Sequence, residues 1–440
     1  MNSVGVGLLG FGTVGSALVA RLRDQGQAIG ARTGLDLQTV RVAVRDPAKG
    51  RVVDLPDGVV VGDAEAVVDD PEVEVVVELM GGVEPARSLI LKALAAGKPV
   101  VTANKELLAR HGGELFAAAE ATGVDLLFEA AVGGGIPMVR PLRESLAGEP
   151  VETVLGIVNG TTNYILTRMT EEGSGYAEAL AEAQELGFAE ADPTADVDGH
   201  DAAAKIAILA SIAFGVQVTA DDVYREGIRA VTPADLREAE RSGHVVKLVA
   251  AADRVPGPVG TVAVAVRVYP ALVPLNHPLA SVRDSFNAVF VQGSHVGELM
   301  LYGRGAGGDP TASAVLGDLV DAAGNRRLGT AARLGSMRAA RIVPVGEHRC
   351  EFMIRLLVTD RSGVLASVAT AFSDHDVSIR SMLQEEPGDL DVDGTSRIVF
   401  ISHEAREADV RATLTDIATI DTVINIESVI RLLPESTPLP

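Results

Sequence analysis

The sequence predicts an α/β fold: a doubly wound parallel sheet first, a mixed α+β domain second, and a small split β-α-β module at the C-terminus. Three observations predict it. The opening stretch VGVGLLGFGTVGSALVARL reads as a buried strand, a glycine-rich turn and a helix. Apolar strands then alternate with helices as far as about Val132, the pattern of a parallel sheet covered on both faces. After Arg349 the order of elements becomes strand, helix, strand, strand, helix, strand.

In chain order, LQTVRVAVRD is the second strand and VEVVVELM the third, read as entirely apolar. PARSLILKALAAG is a helix, PVVTAN a strand, KELLARHGGELFAAAEATG a helix and VDLLFEA a strand. These make a dinucleotide-binding domain over residues 1–131 with a Rossmann-like sheet. From 132 to 304 the texture is mixed α+β, with strands VETVLGIVNG, TVAVAVRVYPALV, NAVFVQG and GELMLYG. Residues 305–340 supply a loop and a helix expected to pack back on the first domain. EFMIRLLVTD, SGVLASVATAFSDHD, VSIRSMLQEE, SRIVFISH, EADVRATLTDIATI and INIESVIRLL make a ferredoxin-like domain over 350–435.

Composition bounds the function. A chain of 440 residues spans two or three domains, and 47% hydrophobic residues suffice for their cores. A net charge of −22 gives no basic field for nucleic acid or for an anionic membrane. The single cysteine, Cys350, permits neither an intrachain disulfide nor a cysteine zinc site, which fits a reducing cytoplasm. The chain opens directly into a strand with no signal-peptide pattern, and its longest apolar run, Ile206 to Val216, is too short to span a membrane. Of 38 basic residues only six are lysines: Lys49, Lys92, Lys98, Lys105, Lys205 and Lys247. Lysine exchanges its proton and arginine does not, so a lysine in so arginine-rich a chain is a candidate for chemistry.

Gly10, Phe11, Gly12, Thr13, Val14 and Gly15 form G-x-G-x-x-G between a strand and a helix, the context that a dinucleotide pyrophosphate requires. Arg45 follows the second strand, with Lys49 and Arg51 nearby, and suits a 2′-phosphate, whereas Asp46 would hold a 2′-hydroxyl. NADP is favoured and NAD stays open. Thr102, Asn104 and Lys105 lie at the carboxyl end of a strand, where ligands of open α/β sheets bind.

The stretch EADPTADVDGHDAAAK, residues 190–205, places five carboxylates within twelve residues and a lysine four positions after the last. Aligned on Gly199 as a calcium loop, it fails at Thr194 and at Lys205. Two readings remain. Asp198 caps a helix and Asp201 pairs with Lys205 at i,i+4, or Lys205, at the mouth of the apolar helix IAILASIAFGV, is a tuned proton donor.

Together GFGTVG, VVTANKELLA, FEAAVGGGIP, VNGTTNYIL, GFAEADPTADVDGHDAAAK and GRGAGGDPTASAV resemble homoserine dehydrogenase over nearly all of the first 340 residues. The remainder resembles an ACT domain, with DRSGVLA at its first strand–helix turn and Ser362 in place of that turn's usual proline. The resemblance implies reversible reduction of L-aspartate 4-semialdehyde to L-homoserine, on the way to threonine and methionine, with hydride from NADPH or NADH. It implies Lys205 as proton donor, Lys105 beside nicotinamide and substrate, and Glu190, Asp196 and Asp201 at or near the substrate. Gly160, Thr161 and Gly187 would line the site, and Gly305 would close over the cofactor. Glu129 with the carbonyls of Val132, Gly134 and Ile136 would match a structural sodium site. The ACT domain implies L-threonine as effector, near Gly363, and the family implies a homodimer or homotetramer.

Competing readings are a dehydrogenase of another amino-acid semialdehyde and an amino-acid sensor with an inactive dehydrogenase part. An aspartate-semialdehyde dehydrogenase would need a cysteine nucleophile, and Cys350 sits outside the sheet domain.

Overall fold

In a computed structural model, residues 2–49, 53–256, 262–332, 335, 337–385 and 394–434 are described. Arg51 lies outside them. The chain divides into two compact units. The first comprises Met1–Gly160, Asp201–Val223 and Phe286–Ala340; the second comprises Thr161–His200, Tyr224–Ser285 and Arg341–Pro440.

The first unit is built on strands β1 (Asn2–Leu9), β2 (Leu35–Ala43), β3 (Val60–Val61), β4 (Val75–Glu78), β5 (Val100–Thr102) and β6 (Leu126–Leu127). They pair in the order β3-β2-β1-β4-β5-β6, every pair parallel. The order reverses between β1 and β4, which opens the crevice used by dinucleotide-binding sheets. Helices α1 (Thr13–Thr33), α2 (Ala64–Asp69), α3 (Ala86–Ala95) and α4 (Lys105–Thr122) connect the strands. Val4, Val6, Leu8, Val75, Val77 and Val101 form one core with Leu18 and Leu22 of α1. A later helix, Gly308–Leu328, adds Ala312, Val315, Leu319 and Ala322 to that core. Small and β-branched side chains let helix and sheet approach closely without aromatics.

One strand departs from the expected pattern. The third apolar run ends in Glu78, a carboxylate with no exposure.

Beyond the sheet, β7 (Val151–Ile157) leads into α5 (Gly160–Glu172), α6 (Tyr176–Glu185), the single turn α7 (Thr194–Val197) and α8 (His200–Phe214). In the second unit, α9 (Pro233–Arg241) starts on a capping box in which Thr232 and Asp235 bond each other's backbone. It precedes two twelve-residue antiparallel strands, β8 (His244–Val255) and β9 (Ala263–Pro274). β10 (Phe286–Gly293) and β11 (Gly297–Arg304) return to the first unit, where β10 pairs with β7.

The C-terminal module follows β12 (Arg349–Thr359), α11 (Val364–Asp374), β13 (Ile379–Glu385), β14 (Thr395–Ser402), α12 (Glu407–Ile417) and β15 (Val423–Leu432). Its strand order β15-β12-β14-β13 is antiparallel throughout, the ferredoxin-like plan. Its sheet does not end at β15: Arg431 and Leu432 pair with Ala271 and Leu272 of β9. Two buried arginines lock this junction. Arg355 meets Asp235 at 3.2 Å and Glu427 at 3.0 Å. Arg431 binds Glu226 through both terminal nitrogens (2.7 and 2.8 Å) and Glu407 through Nε and Nη2 (2.8 and 2.6 Å). Tyr224, Tyr269 and Phe352 surround that guanidinium.

Removing Arg431 takes the shared, buried cation from both carboxylates and leaves Glu407 to Arg411 and Glu226 to the Tyr224 hydroxyl. Arg431→Ala is expected to cost about 3–5 kcal/mol in urea unfolding followed by circular dichroism. A loss below about 1 kcal/mol would mean that the junction is not held by this arginine.

Candidate active site

The glycine-rich turn has a separate physical reason at each glycine. Gly10 sits at φ 102°, and a Cβ there would lie 2.8 Å from the Leu79 carbonyl oxygen. Gly12, ahead of the first residue of α1, has nothing within 4 Å of its Cβ position, so the helix N-terminus is open to a phosphate. A Cβ on Gly15 would lie 2.9 Å from the Gly10 oxygen, which makes its glycine a packing requirement. Thr13 is exposed, and Phe11 and Val14 pack partly into the sheet core. These residues fit a dinucleotide pyrophosphate. Arg45 is exposed just past β2, and the Asp46 carboxylate accepts the backbone N–H of Ala48 in a local turn.

At the other side of the crevice, Asn104 caps α4 by accepting the Leu107 N–H at 3.1 Å and donates to the Gly82 carbonyl at 2.6 Å. Lys105 is therefore the first residue of a capped helix, and its side chain is 45% exposed. Its ammonium pairs with Oδ1 of Asp201. Lys205, one turn along α8, donates to Oδ2 of the same carboxylate at 2.7 Å and to the Val158 carbonyl oxygen at 2.6 Å. Asn159 adds a fourth contact, its Nδ2 reaching Asp201 Oδ2 at 2.9 Å. Lys205 and Asp201 are buried, on a helix whose following residues Ile206–Ala210 are all in the core.

The expected i,i+4 ion pair of Asp201 and Lys205 forms, and a second lysine from a distant element joins it. Burial pushes the Asp201 carboxyl up, but the two ammonium groups and their hydrogen bonds outweigh this and hold it well below the usual carboxylate range. The folded value is depressed, so Asp201 contributes stability above the unfolded carboxylate value of about 3.9 and loses it as pH falls towards the folded value. At neutral pH the carboxylate is charged, and two cations face one anion.

Asp198 does not cap α8. Its carboxylate binds Arg229 at 2.6 and 3.2 Å instead. Among the other expected substrate residues, Glu190 is exposed on the loop after α6, and Asp196 lies half-buried on α7. Gly160 opens α5; Thr161 Oγ1 donates to the Phe188 carbonyl at 2.7 Å, tying α5 to the loop that carries Gly187 at φ 76°. Sequence reasoning missed Asn159, the Val158 carbonyl and Glu78. The signal for Glu78 was a lone carboxylate at the end of an apolar strand.

Glu129 is buried, and its carboxylate accepts the N–H groups of Met138, Val139 and Arg140 (the last two at 2.8 Å). Its own N–H donates to Asp318 Oδ2 at 2.7 Å, and burial pushes the Asp318 carboxyl up to about 7. Gly133 and Gly134 turn the chain at φ 71° and 56°. Among the described residues, no backbone N–H donates to the carbonyl oxygens of Val132, Gly134 or Ile136. Three buried residues with oxygens of this kind fit a hard monovalent cation. A Cβ on Gly134 would lie 2.5 Å from the Gly305 oxygen, and one on Gly305 would meet the Asn287 amide, so this turn and the Gly305 loop touch.

In the C-terminal module, Gly363 precedes α11 at φ 96° with open space at its Cβ position. Cys350 is buried, its thiol pushed up to about 12, and unsuited to nucleophilic work. No helix among the described residues is long and apolar enough to cross a membrane.

The chain matches three family profiles: "Homoserine dehydrogenase, NAD binding domain" over residues 10–129, "Homoserine dehydrogenase" over 137–320 and "ACT domain" over 352–421. It is 49% identical to the homoserine dehydrogenase of Corynebacterium glutamicum over 98% of this chain and 96% of that one. The crystal structure of a homoserine dehydrogenase from Thiobacillus denitrificans superposes with a TM-score of 0.91 at 41% identity, covering 98% of this chain and 99% of that one. A hyperthermophilic archaeal homoserine dehydrogenase in complex with NADPH gives a TM-score of 0.63 at 29% identity over 73% of this chain and 98% of that one. With family profiles over most of its length and near full-length relatives at about half identity, the chain belongs to the homoserine dehydrogenase family of oxidoreductases that act on CH–OH groups.

Proposed function

We propose that the chain reversibly reduces L-aspartate 4-semialdehyde to L-homoserine in threonine and methionine synthesis, with NADPH preferred over NADH. The observation that carries the mechanism is the single buried carboxylate shared by two lysines. The dinucleotide, when bound, supplies the hydride. Hydride addition to an aldehyde leaves an alkoxide, and an ammonium beside it stabilises the charge and delivers the proton. Lys205, buried and fixed by Asp201 and the Val158 carbonyl, is the proposed donor at that oxygen. Lys105, more exposed at the head of α4, lies at the carboxyl end of β5 and is proposed to face nicotinamide and substrate. Asp201 orients both. Glu190 and Asp196 are proposed to take the substrate's α-ammonium group, with Gly160, Thr161 and Gly187 lining that part.

The exposed Arg45, beside an Asp46 already engaged in a turn, supports the 2′-phosphate reading. Thr102 and Asn104 shape the same crevice, and Gly305 is proposed to close over it. A sodium ion at Glu129, Val132, Gly134 and Ile136 would brace the turn against the Gly305 loop. L-Threonine is the proposed effector, its carboxylate at the N–H groups beyond Gly363. A homodimer or homotetramer is proposed, supported by the exposed Leu299 and Tyr302 of β11 and Met382 and Leu383 of the edge strand β13. The cytoplasm is the proposed location.

Nicotinamide absorbance with L-aspartate 4-semialdehyde tests the reaction. Lys205→Ala is expected to lower kcat by about 10²–10⁴, the range of general acid catalysis. Lys205→Arg should not restore it, because a guanidinium keeps its proton. Wild-type turnover in either variant would remove Lys205 from the mechanism. Arg45→Ala should raise the KM for NADPH about tenfold and leave that for NADH nearly unchanged; equal effects on both cofactors would rule out 2′-phosphate recognition by this residue.

A further inference from the structure

We propose that Glu78 is a positioning residue of the dehydrogenase reaction, its carboxylate joining the loop after β4 to the start of α4 as one cradle for Lys105 and the nicotinamide half of the cofactor. The proposal rests on the dinucleotide reading of the crevice. β4 lies beside β1 at the point where the strand order reverses. With Arg45 at the end of β2 marking the adenosine side, the nicotinamide half falls towards β4 and β5.

A carboxylate without exposure is costly unless donors converge on it. Here they do. Oε1 accepts the N–H groups of Met80 (2.7 Å) and Gly81 (3.2 Å), and Oε2 accepts the Thr102 hydroxyl at 2.6 Å. Thr102 has spent its only proton on Glu78, so its oxygen is left to accept the Asn104 N–H at 3.0 Å. Asn104 then caps α4 and donates to Gly82. The bonds close a ring through Glu78, Thr102, Asn104, Gly82 and Gly81. One side of the ring is the Leu79–Met80 backbone packed under Gly10 of the phosphate turn. The other side ends at Lys105, which reaches Asp201.

Only a group that accepts at both oxygens satisfies this ring. A glutamine amide turned towards Thr102 would orphan the hydroxyl proton; turned the other way, it would face two N–H groups. Burial pushes the Glu78 carboxyl above the usual range, while Thr102 and the Met80 and Gly81 N–H groups pull it back.

The test is Glu78→Gln, with Thr102→Val as a second variant that removes the two links through the Thr102 hydroxyl and keeps the side chain's shape. Hydrogen exchange is measured on the cofactor-free protein, NADPH binding by nicotinamide fluorescence, and KM and kcat separately. In Glu78→Gln, exchange in residues 79–85 and 102–108 should quicken about tenfold with protection elsewhere intact, as for a local opening. The Kd for NADPH should rise about tenfold, and kcat should fall while the aldehyde KM stays within about twofold, the pattern of a lost buried hydrogen bond that acts on the cofactor side. Thr102→Val should quicken only 102–108 and lower kcat. Unchanged exchange and Kd would overturn the proposal, as would loss of protection across the whole chain, which would make Glu78 a folding residue only. If wild type itself binds no NADPH, the dinucleotide reading fails, while the exchange data still judge the ring.

Discussion

The site depends on one buried carboxylate that must satisfy two ammonium groups. Asp201 and Lys205 share a helix, and Lys105 comes from another, so the carboxylate joins α4 to α8. Without it two cations would face each other in a poorly solvated space. With it, both lysines share one carboxylate beside the place where the aldehyde is proposed to become an alkoxide. The surrounding structure serves that balance. Asn104 fixes where α4 begins, the apolar run after Lys205 buries α8, and Val158 and Asn159 hold the lysine and the carboxylate from a third segment.

Much of this was legible in the sequence for reasons that are local. The phosphate turn could be read because Gly10 and Gly15 answer to nearby steric limits and Gly12 leaves the helix N-terminus open. The parallel sheet and the ferredoxin-like module could be read from apolar runs between helices. The Asp201–Lys205 pair could be read from helical spacing, but its third member could not, because no periodicity relates Lys105 to α8. Asp198 was misassigned for the same reason: its partner Arg229 lies on a separate segment, and a long-range bidentate pair displaced a local cap. Glu78 was absorbed into an apolar run because its donors come from the loop after β4 and from the neighbouring strand β5.

The two kinds of cation divide the labour. Arg267, Arg355 and Arg431 are buried in permanent ion pairs in the second unit, where a guanidinium that never loses its proton is an advantage. Lysines stand where a proton is proposed to move, at Lys105 and Lys205. Scarcity alone does not mark them: Lys92 serves an exposed pair with Glu65 and Asp69, Lys98 holds the Val68 and Asp70 carbonyls, and the buried Lys247 donates to Asn163 and the Val282 carbonyl.

The continuity of the C-terminal sheet with β9 has a consequence for how this protein can be dissected. All twelve residues of β9 are buried, and one edge of that strand is shared with β15 and with the short strand at Arg341–Ile342. A chain cut before Arg341 would keep the pairing of Arg267 and Val268 with Tyr224 and Arg225 but would unpair that edge at Ala263–Val264 and Ala271–Leu272, and open apolar strand edges recruit strands from other molecules. The C-terminal module thus also covers an edge open to aggregation. A shortened chain would need charged residues or a proline on β9 to remain in solution.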